Sequence, residues 1–409
     1  MADGDRFTFT YGRSYRERPD AIPLYLPELP LQAGPIVPRP PLLMAGALRD
    51  ASPDAWGRRV IQNRLFGKAA NEEPGELAYL MQSGSDRVGA LDFQVSPTDY
   101  QPRGSAPAPL EELLASAERV ERGVPITPEL DQALFHGSSI GGARPKALIR
   151  DGGRSLIAKF SSAADTYPVV KAEFVAMRLA KIAGLDVAPV ELVNVTGKDV
   201  LLVERFDRVS AGQDDTGQMR WHRRAMVSAL TILGLDEMQA RYASYQDLAE
   251  IIRHRFKAPT QALHELFARL TFNILVGNVD DHARNHAAFW NGSDLTLTPA
   301  YDICPQPRTG GEASQAMLIL GQERLSRFDV CLAAAPNFHL AEGAALQIVA
   351  NQIAAIAAQW PVVAADAGLA PVERARLWGR SLLNPYAFEG LKGAASELAI
   401  QAEAARASG

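Results

Sequence analysis

The sequence predicts an α+β protein in which strands and helices are concentrated in different parts of the chain. Short apolar runs rich in β-branched residues predict strands between positions 146 and 204. Apolar residues at helical spacing prevail from Met226 onward, interrupted by one predicted hairpin. The length of 409 residues and the hydrophobic fraction of 47% allow a large core and two or three domains.

The pattern of residues 1–105 predicts a small subdomain of mixed strands and helices. Its predicted elements are a strand in "RFTFTYG", a helix capped by Ser52 with Pro53 at its first position, a helix around 72–82 and a strand in "RVGALDFQV". The stretch "SPTDYQPRGSAPAP" that follows is typical of a linker. We therefore place a domain boundary near Ser105.

The pattern of residues 106–210 predicts a β-rich lobe with one long helix. After helices at about 110–122 and at Thr127, the glycine-rich stretch "SSIGGARPK" leads into the strands "KALIR" and "SLIAKF" around the turn "DGG". A helix from near Pro168 to Gly184 and the strands "VELVNV" and "DVLLVERFD" complete the lobe. Residues 211–409 predict a helical lobe, in which "HAAFW" and "LTLTPAYD" form the hairpin.

The overall charge argues against a protein that binds nucleic acid alone. The 42 Lys and Arg residues are outnumbered by 47 Asp and Glu residues, which leaves a net charge of -5. We therefore expect any DNA contact to come through a partner. The run "MRWHRRAM", Met219 to Met226, is a local exception that is either a basic patch or a solvated face.

No segment predicts membrane insertion or export. The first twenty residues lack the apolar core of a signal peptide, and apolar runs such as "ALQIVANQIAAIAA" are too short or too interrupted to cross a bilayer. Cys304 and Cys331 cannot build a disulfide framework or a four-ligand zinc site. We expect a cytoplasmic protein with no membrane partner.

The polar stretch "GNVDDHARNH", Gly277 to His286, directly follows the apolar run "LTFNILV". Asp280 and Asn285 have the Asp-x-x-x-x-Asn spacing of a kinase catalytic loop, in which the Asp accepts the substrate proton and the Asn ligates Mg²⁺. Asp302, after the hairpin, offers a second carboxylate for the metal. This set matches what phosphoryl transfer from ATP requires.

Residues upstream of this stretch complete the predicted ATP site. Lys159 on its strand is placed to pair with the α- and β-phosphates, and Glu173 on the next helix to hold that lysine. Gly141 and Gly142 allow the backbone to approach a phosphate closely. Each pattern alone is common in ordinary turns, strands and helix faces, so the prediction depends on their order along the chain.

A second interpretation takes His282 and His286, with Asp280 and Asp281, as the metal ligands of a hydrolase. Two histidines four residues apart share one face only on a helix, whereas Gly277 and the strand that follows predict a loop. We expect His282 to brace the loop by hydrogen bonding and His286 to begin the strand.

The chain resembles the HipA family of kinase toxins, which belong to bacterial HipBA-type toxin-antitoxin systems. The resemblance covers nearly the whole chain and is carried by "ALRDASPDAWGRR", "SSIGGARPK", "LIAKF", "EFVAMRLAKIAGLDVAPVEL", "LLVERFDR", "GNVDDHARNH" and "LTPAYDICP". It implies a two-lobed protein-kinase-like fold, with a small β-rich N-lobe, a large helical C-lobe and an additional N-terminal subdomain. It also implies serine/threonine kinase activity with ATP and Mg²⁺.

The resemblance also assigns individual residues. Asp280 is the implied catalytic base, Asn285 and Asp302 are the implied Mg²⁺ ligands, and Ser139 matches the serine that family members autophosphorylate, with Ser138 as an alternative. Glu173 and Asp281 are expected to support the site. The residues implied in ATP binding are Ser138, Ser139, Ile140, Gly141, Gly142, Lys159, Glu204, Phe206, Asp207, His282, Asn285 and Asp302.

The family implies partners as well. These are a helix-turn-helix antitoxin similar to HipB, DNA through that antitoxin, and a protein substrate of translation such as an aminoacyl-tRNA synthetase, with growth arrest or persistence as the outcome. Few residues precede "RFTFTYG", where family members usually have further strands, so we expect a truncated start and a small separate protein that supplies those strands. Two alternatives stay open, a nucleotide-bound co-repressor with vestigial catalysis and a small-molecule or lipid kinase.

Overall fold

A computed structural model of the chain describes residues 2–3, 6–66, 74–104, 108–124, 142–215, 217, 219–308 and 310–408. These residues form two compact units. The β-rich unit comprises Met1–Thr166 and Pro189–Val227, and the helical unit comprises Tyr167–Ala188 and Ser228–Gly409. The N-terminal segment and residues 211–227 lie in the β-rich unit, and the domain boundaries near 105 and 210 stay predictions.

The N-terminal part of the β-rich unit consists mainly of short helices. Its elements are β1 (Ala2–Asp3), β2 (Arg6–Phe7), α1 (Arg13–Arg16), α2 (Gly46–Arg49), α3 (Ala55–Phe66), α4 (Glu76–Gln82) and α5 (Leu110–Glu121). Helix α3 begins at Ala55, later than predicted. The carbonyl of Asp54 accepts the first hydrogen bond of the helix, from the N–H of Arg58 at 2.8 Å, so Asp54 is the residue that precedes it. The predicted strand in "RFTFTYG" is confined to Arg6–Phe7.

The predicted strand in "RVGALDFQV" is wrong, because the buried side chain of Arg87 dominates this segment. Its guanidinium donates to the carbonyls of Ala51 at 2.9 Å and Ser83 at 3.3 Å, and also to that of Leu80. Gly89 adopts a positive φ of 73°. The backbone of this segment is therefore irregular, although the alternating apolar residues of the segment are typical of a strand.

A four-stranded antiparallel sheet forms the centre of the β-rich unit, in the order β3-β4-β6-β5. Its strands are β3 (Lys146–Asp151), β4 (Arg154–Phe160), β5 (Val190–Val195) and β6 (Lys198–Glu204). Trp56 of α3 and Leu114 of α5 belong to one hydrophobic core with Phe160 of β4 and Val200 of β6. A separate antiparallel ribbon consists of β7 (Arg208–Gln213) and β8 (Met219–Arg223), and β9 (Met226–Ser228) follows.

The helical unit confirms the predicted succession of helices around one hairpin. Its elements are α6 (Val169–Ile182), α7 (Ala229–Ile232), α8 (Tyr245–Arg255), α9 (Pro259–Val276), β10 (Ala287–Trp290), β11 (Leu295–Leu297), α10 (Phe328–Ala334), α11 (Glu342–Asp366), α12 (Pro371–Arg376) and α13 (Ser396–Ser408). Strands β10 and β11 pair antiparallel, with Ala288 opposite Leu297. Helix α9 is the central helix, since the whole run "RLTFNILV" at its end is buried.

Helix α11 corrects the prediction that its apolar run is too short to cross a bilayer. Within the described part of the chain, this helix is long and apolar enough to span a membrane by length and composition. Val349, Ile353, Ile356 and Trp360 are all buried inside the protein. These four residues belong to the part of α11 that is buried, which is 39% of its most apolar stretch, and the helix packs against other helices of the unit.

Gly277 ends helix α9 with a left-handed conformation, at a φ of +73°. A Cβ atom at this position would lie 2.9 Å from the carbonyl oxygen of Ser381. We expect Gly277→Ala to lower the free energy of unfolding by about 1–3 kcal/mol, because both the backbone angle and the close approach favour glycine. Thermal unfolding of the purified protein measures this change.

Gly343→Ala is the matched control, since Gly343 lies in the first turn of α11 and a Cβ there would contact nothing within 4 Å. Its unfolding temperature should equal or slightly exceed that of the wild type. Equal stability of the two variants would contradict the role given to Gly277.

Candidate active site

Residues 278–286 form a compact loop between α9 and β10, and its backbone is fixed by short-range hydrogen bonds. The carbonyl of Asp280 accepts the amide N–H of His282 and the side-chain Nδ2 of Asn285, both at 2.9 Å. The N–H of Asn285 in turn donates to the carbonyl of His282 at 2.8 Å. Because Asn285 uses its nitrogen in the loop, its Oδ1 is the atom available as a metal ligand.

The buried carboxylate of Asp281 holds this loop in place through hydrogen bonds. Asp281 is only 1% exposed, and it accepts hydrogen bonds from the Tyr245 hydroxyl and from Nε2 of His286, the latter at 2.8 Å. Burial alone would raise the pKa of Asp281, but His286, Tyr245 and Asn273 lower it below its ordinary value. Asp281 is therefore held in its ionised form by the groups around it.

The structure changes which histidine supports the loop. His286 was expected only to begin a strand, yet its buried ring bonds Asp281 and packs edge to face with Tyr245 at 5.5 Å. His282, which was expected to brace the loop, lies partly exposed and acts on it through its backbone. Sequence reasoning missed Tyr245 entirely, because it lies 36 residues away and carries no local motif.

Asp280 and Asp302 lie close enough to influence each other electrostatically. The Asp280 side chain reaches the surface, but partial desolvation by the surrounding protein raises its pKa. His282 opposes this rise, and the negative charges of Asp302 and Asp281 add to it. Asp302 has a positive φ of 59°, which a non-glycine residue adopts at a cost of about 1–3 kcal/mol.

These groups fit a magnesium ion. Mg²⁺ prefers oxygen ligands and commonly binds through one or two carboxylates together with substrate phosphates. Asn285 Oδ1 and the Asp302 carboxylate are oxygen ligands of this kind, and the repulsion between Asp280 and Asp302 is what a cation relieves. Asp302 would be the carboxylate ligand and Asn285 the amide ligand.

The alternative metallohydrolase site is not supported. Within the described residues, no group of three or more His, Cys, Asp and Glu side chains is arranged to hold a metal ion by itself. His286 is buried and its Nε2 is bonded to Asp281, and only a short 3-10 helix, Ala283–Asn285, lies between the two histidines, which are themselves extended. The two histidines therefore do not form a paired ligand set.

The other residues that the sequence predicts for the ATP site are divided between the β-rich unit and the helical unit. Lys159 lies on β4 of the β-rich unit, whereas Glu173 is buried on α6 of the helical unit. Glu204 ends β6, and Phe206 follows it. Ser138, Ser139, Ile140 and Gly141, together with the predicted short helix at Thr127, lie outside the described residues.

The side chain of Asp207 is engaged inside the β-rich unit. It is 4% exposed, accepts from Arg205 Nη2 at 2.8 Å and from Arg208 Nη1 at 2.9 Å, and also accepts the Gly89 N–H at 2.8 Å. Its predicted contact with a nucleotide therefore depends on its backbone. Gly142, at the end of the glycine-rich stretch, has a φ of +106°, and its N–H donates to Asp54 at 2.6 Å.

A β-rich sheet unit, a helical unit and a loop with Asp280, Asn285 and a following Asp302 define a protein of the kinase-like class. Comparison with solved structures agrees with this class. HipA of Shewanella oneidensis, solved with HipB and its operator DNA, matches with a TM-score of 0.65 and 21% identity, covering 98% of this chain and 92% of that chain. This likeness confirms the predicted α+β, two-lobed kinase-like fold.

Family models identify the chain more narrowly. The HipA N-terminal domain matches residues 1–94, and the HipA-like C-terminal domain matches residues 138–360. The chain belongs to the HipA family, as its motifs indicated.

Relatives of known sequence include named kinases. Y4mE of Sinorhizobium fredii, described as a candidate kinase, is 29% identical over 72% of this chain and 71% of its own length. The serine/threonine-protein kinase toxin HipA of Shewanella oneidensis is 26% identical over 55% of each chain. A candidate kinase of Haemophilus influenzae is 28% identical over 39% of this chain and 49% of its own. These relatives support kinase activity in general terms.

We expect Tyr245→Phe to lower the free energy of unfolding by about 1–3 kcal/mol, because it removes a hydrogen bond to a buried, ionised carboxylate. Tyr242→Phe is the control, since Tyr242 is 54% exposed and three residues away. Thermal or denaturant unfolding compares the two variants. If Tyr245→Phe unfolded at the same temperature as Tyr242→Phe, the Asp281 network would not stabilise the loop as described.

Proposed function

We propose that this protein is a serine/threonine protein kinase that transfers the γ-phosphate of ATP to a protein hydroxyl. The observation that carries the proposal is the loop of the helical unit, in which Asp280 faces solvent while the buried Asp281 network fixes the backbone that presents it. Kinases need such rigid positioning, because phosphoryl transfer depends on placement and charge more than on covalent chemistry.

Asp280 is the proposed catalytic base. The raised pKa of its carboxylate makes it a stronger proton acceptor than an ordinary aspartate. In this role it orients the acceptor hydroxyl and accepts its proton as the hydroxyl oxygen bonds to the γ-phosphorus and the bond from that phosphorus to the β-phosphate oxygen breaks, which releases ADP. His282, whose charge opposes the rise in the pKa of Asp280, lies beside it and is proposed to contact the nucleotide.

Asn285 and Asp302 are the proposed ligands of Mg²⁺. When bound, the ion would neutralise charge on the β- and γ-phosphates. The amide of Asn285 is oriented by its bond to the Asp280 carbonyl, so the loop that holds the base also holds the metal ligand. Asp302 occupies a strained backbone conformation, which is common at functional positions.

The β-rich unit supplies the proposed nucleotide contacts. Lys159 on β4 is proposed to bind the α- and β-phosphates, with Glu173 as its support. Glu204 and Phe206 are proposed to meet the adenine through their backbone. The glycine-rich stretch with Ser138, Ser139, Ile140, Gly141 and Gly142 is proposed to cover the phosphates, and the match of the C-terminal family domain from residue 138 supports this assignment.

Autophosphorylation of this stretch would switch the kinase off. Ser139, or alternatively Ser138, is the proposed acceptor. A phosphoserine carries close to two negative charges, so it would repel the nucleotide phosphates and displace the loop.

The proposed biological role is that of a toxin in a type II toxin-antitoxin system in the cytoplasm. The substrate would be a protein of translation, of the aminoacyl-tRNA synthetase type, and its phosphorylation would cause growth arrest or persistence. The solved HipA of Shewanella oneidensis is bound to HipB and operator DNA. By analogy, a HipB-like antitoxin would bind this chain and connect it to DNA.

Asp280→Asn and Asp302→Asn should each abolish phosphate transfer from ATP, because one removes the base and the other a metal ligand. We expect a fall of at least about 100-fold in labelled phosphate transferred to protein in the presence of Mg²⁺. Both variants should also relieve growth arrest when expressed in cells. Radiolabelled ATP and gel autoradiography provide the measurement.

Glu403→Gln is the control, since Glu403 is an exposed carboxylate on α13, far along the chain from the loop. It should transfer phosphate at the wild-type rate. Undiminished transfer by Asp280→Asn would refute the role of Asp280 as base. Label that appears on small metabolites and never on protein would instead favour a small-molecule kinase.

A further inference from the structure

The β-rich unit contains a polar pocket lined by residues that have no part in the proposed ATP site. It has a volume of about 150 Å³, and we call it the arginine pocket; it is lined by Asp86, Arg150, Ser155, Arg208, Trp221 and Arg223. A cavity of roughly this size can hold a molecule as large as benzene, so a tetrahedral oxyanion fits within it. Two of its residues come from the basic run "MRWHRRAM".

Strand register brings like charges together at this pocket. On the ribbon, Arg208 of β7 lies directly opposite Arg223 of β8. Trp221 and Arg223 are two residues apart on β8 and therefore point to the same face. Like charges directly opposite each other on neighbouring strands are destabilising unless something compensates them.

The carboxylates nearby compensate only part of this charge. Asp86 is the one acidic residue among the six that line the pocket, and it already accepts from Arg205 at 2.9 Å and from Arg208 at 2.8 Å. Asp207 is bound by the same two arginines. Two aspartates thus neutralise two arginines, which is a complete structural ion-pair cluster.

The pocket contains two more arginines, Arg150 and Arg223, than the two that Asp86 and Asp207 bind closely. Arg150 approaches Asp86 only at 3.7 Å, and its side chain is 48% exposed. Arg223 makes no ion pair with any residue that the structure describes. The indole Nε1 of Trp221 is buried and has no hydrogen-bond acceptor among the described residues. The pocket therefore offers excess positive charge together with an unused N–H donor.

Repulsion among the guanidinium groups contributes to the pKa values of two of the buried arginines, although burial is the larger cause, and Asp207 and Asp86 raise the pKa of Arg205 above its ordinary value. Burial lowers the pKa of Arg208 to about 10, and the charge of Arg205 adds to this effect. Burial also lowers the pKa of Arg87 to about 10; Asp92 opposes the shift, and Arg103 and Arg223 reinforce it. A bound anion would relieve the repulsion among these guanidinium groups.

We propose that the arginine pocket binds a phosphoryl anion, either free phosphate or the phosphate of a phosphorylated side chain. Guanidinium groups bind phosphate oxygens in a forked geometry. A phosphate monoester carries close to two negative charges at neutral pH, which matches the charge of Arg150 and Arg223, the two arginines in excess of the two that Asp86 and Asp207 bind closely, whereas a carboxylate carries one. The Trp221 N–H adds a neutral donor for a phosphate oxygen.

Isothermal titration calorimetry of the full chain with inorganic phosphate tests this proposal. The wild type should bind phosphate saturably at one such site, and Arg223→Gln should weaken that binding at least about tenfold, the loss expected for one charge-assisted contact. Arg220→Gln is the matched control, because Arg220 is exposed on β8 and alternates to the opposite face. It removes the same charge and should leave phosphate binding unchanged.

Thermal unfolding separates lost binding from lost folding. Phosphate should raise the unfolding temperature of the wild type and of Arg220→Gln, and at the same concentration should raise that of a folded Arg223→Gln by less. Should Arg223→Gln fail to fold, Arg150→Gln serves instead, since its side chain is half exposed and it should also weaken phosphate binding.

O-phosphoserine titrated in parallel distinguishes the two sources of the phosphoryl group. Tighter binding of phosphoserine than of phosphate would indicate a phosphorylated side chain, and the reverse would indicate free phosphate. No saturable binding of either probe, or equal binding by the Arg223→Gln and Arg220→Gln variants, would overturn the proposal. None of these measurements depends on kinase activity.

Discussion

One buried carboxylate determines the geometry of the candidate active site. Asp281 lies between the Tyr245 hydroxyl and His286 Nε2, with almost no exposure to solvent. An isolated buried charge would be very costly, so its partners are what make it tolerable. The residues on either side of it along the loop, Asp280 and Asn285, are the ones proposed to act on ATP and Mg²⁺. Any movement of Asp281 would break its hydrogen bonds to Tyr245 and His286.

Two neighbouring residues of the loop differ in their surroundings, one supporting the loop and the other proposed as the catalytic base. Asp281 is saturated with hydrogen bonds and its pKa is lowered overall, whereas the adjacent Asp280 reaches solvent and its pKa is raised. Two aspartates in sequence thus acquire opposite properties from their surroundings. A comparable alternation occurs at the end of β6, where Arg205 and Asp207 are buried in ion pairs while Glu204 and Phe206, which alternate with them, are only partly buried.

Much of the fold follows from local sequence. The hairpin of β3 and β4, helix α6 and the long helix α9 all match their patterns, because each is built from short-range periodicity and clear turn or stop signals. The irregular segment after Arg87 does not match its predicted strand. There the buried guanidinium of Arg87 donates hydrogen bonds to the carbonyls of Ala51 and Ser83. Likewise Asp280, Asn285 and Asp302 were recognisable from spacing, but Tyr245 was not, because only the folded chain brings it to Asp281.

Phosphopeptide mapping by mass spectrometry, using dephosphorylated protein incubated with ATP and Mg²⁺, tests whether the ordered loop serves protein phosphorylation. Phosphate should appear on Ser139 or Ser138 of this chain, in the glycine-rich stretch. A protein that binds ATP with Mg²⁺ yet gains no phosphoserine or phosphothreonine, on itself or on any added protein, would contradict it.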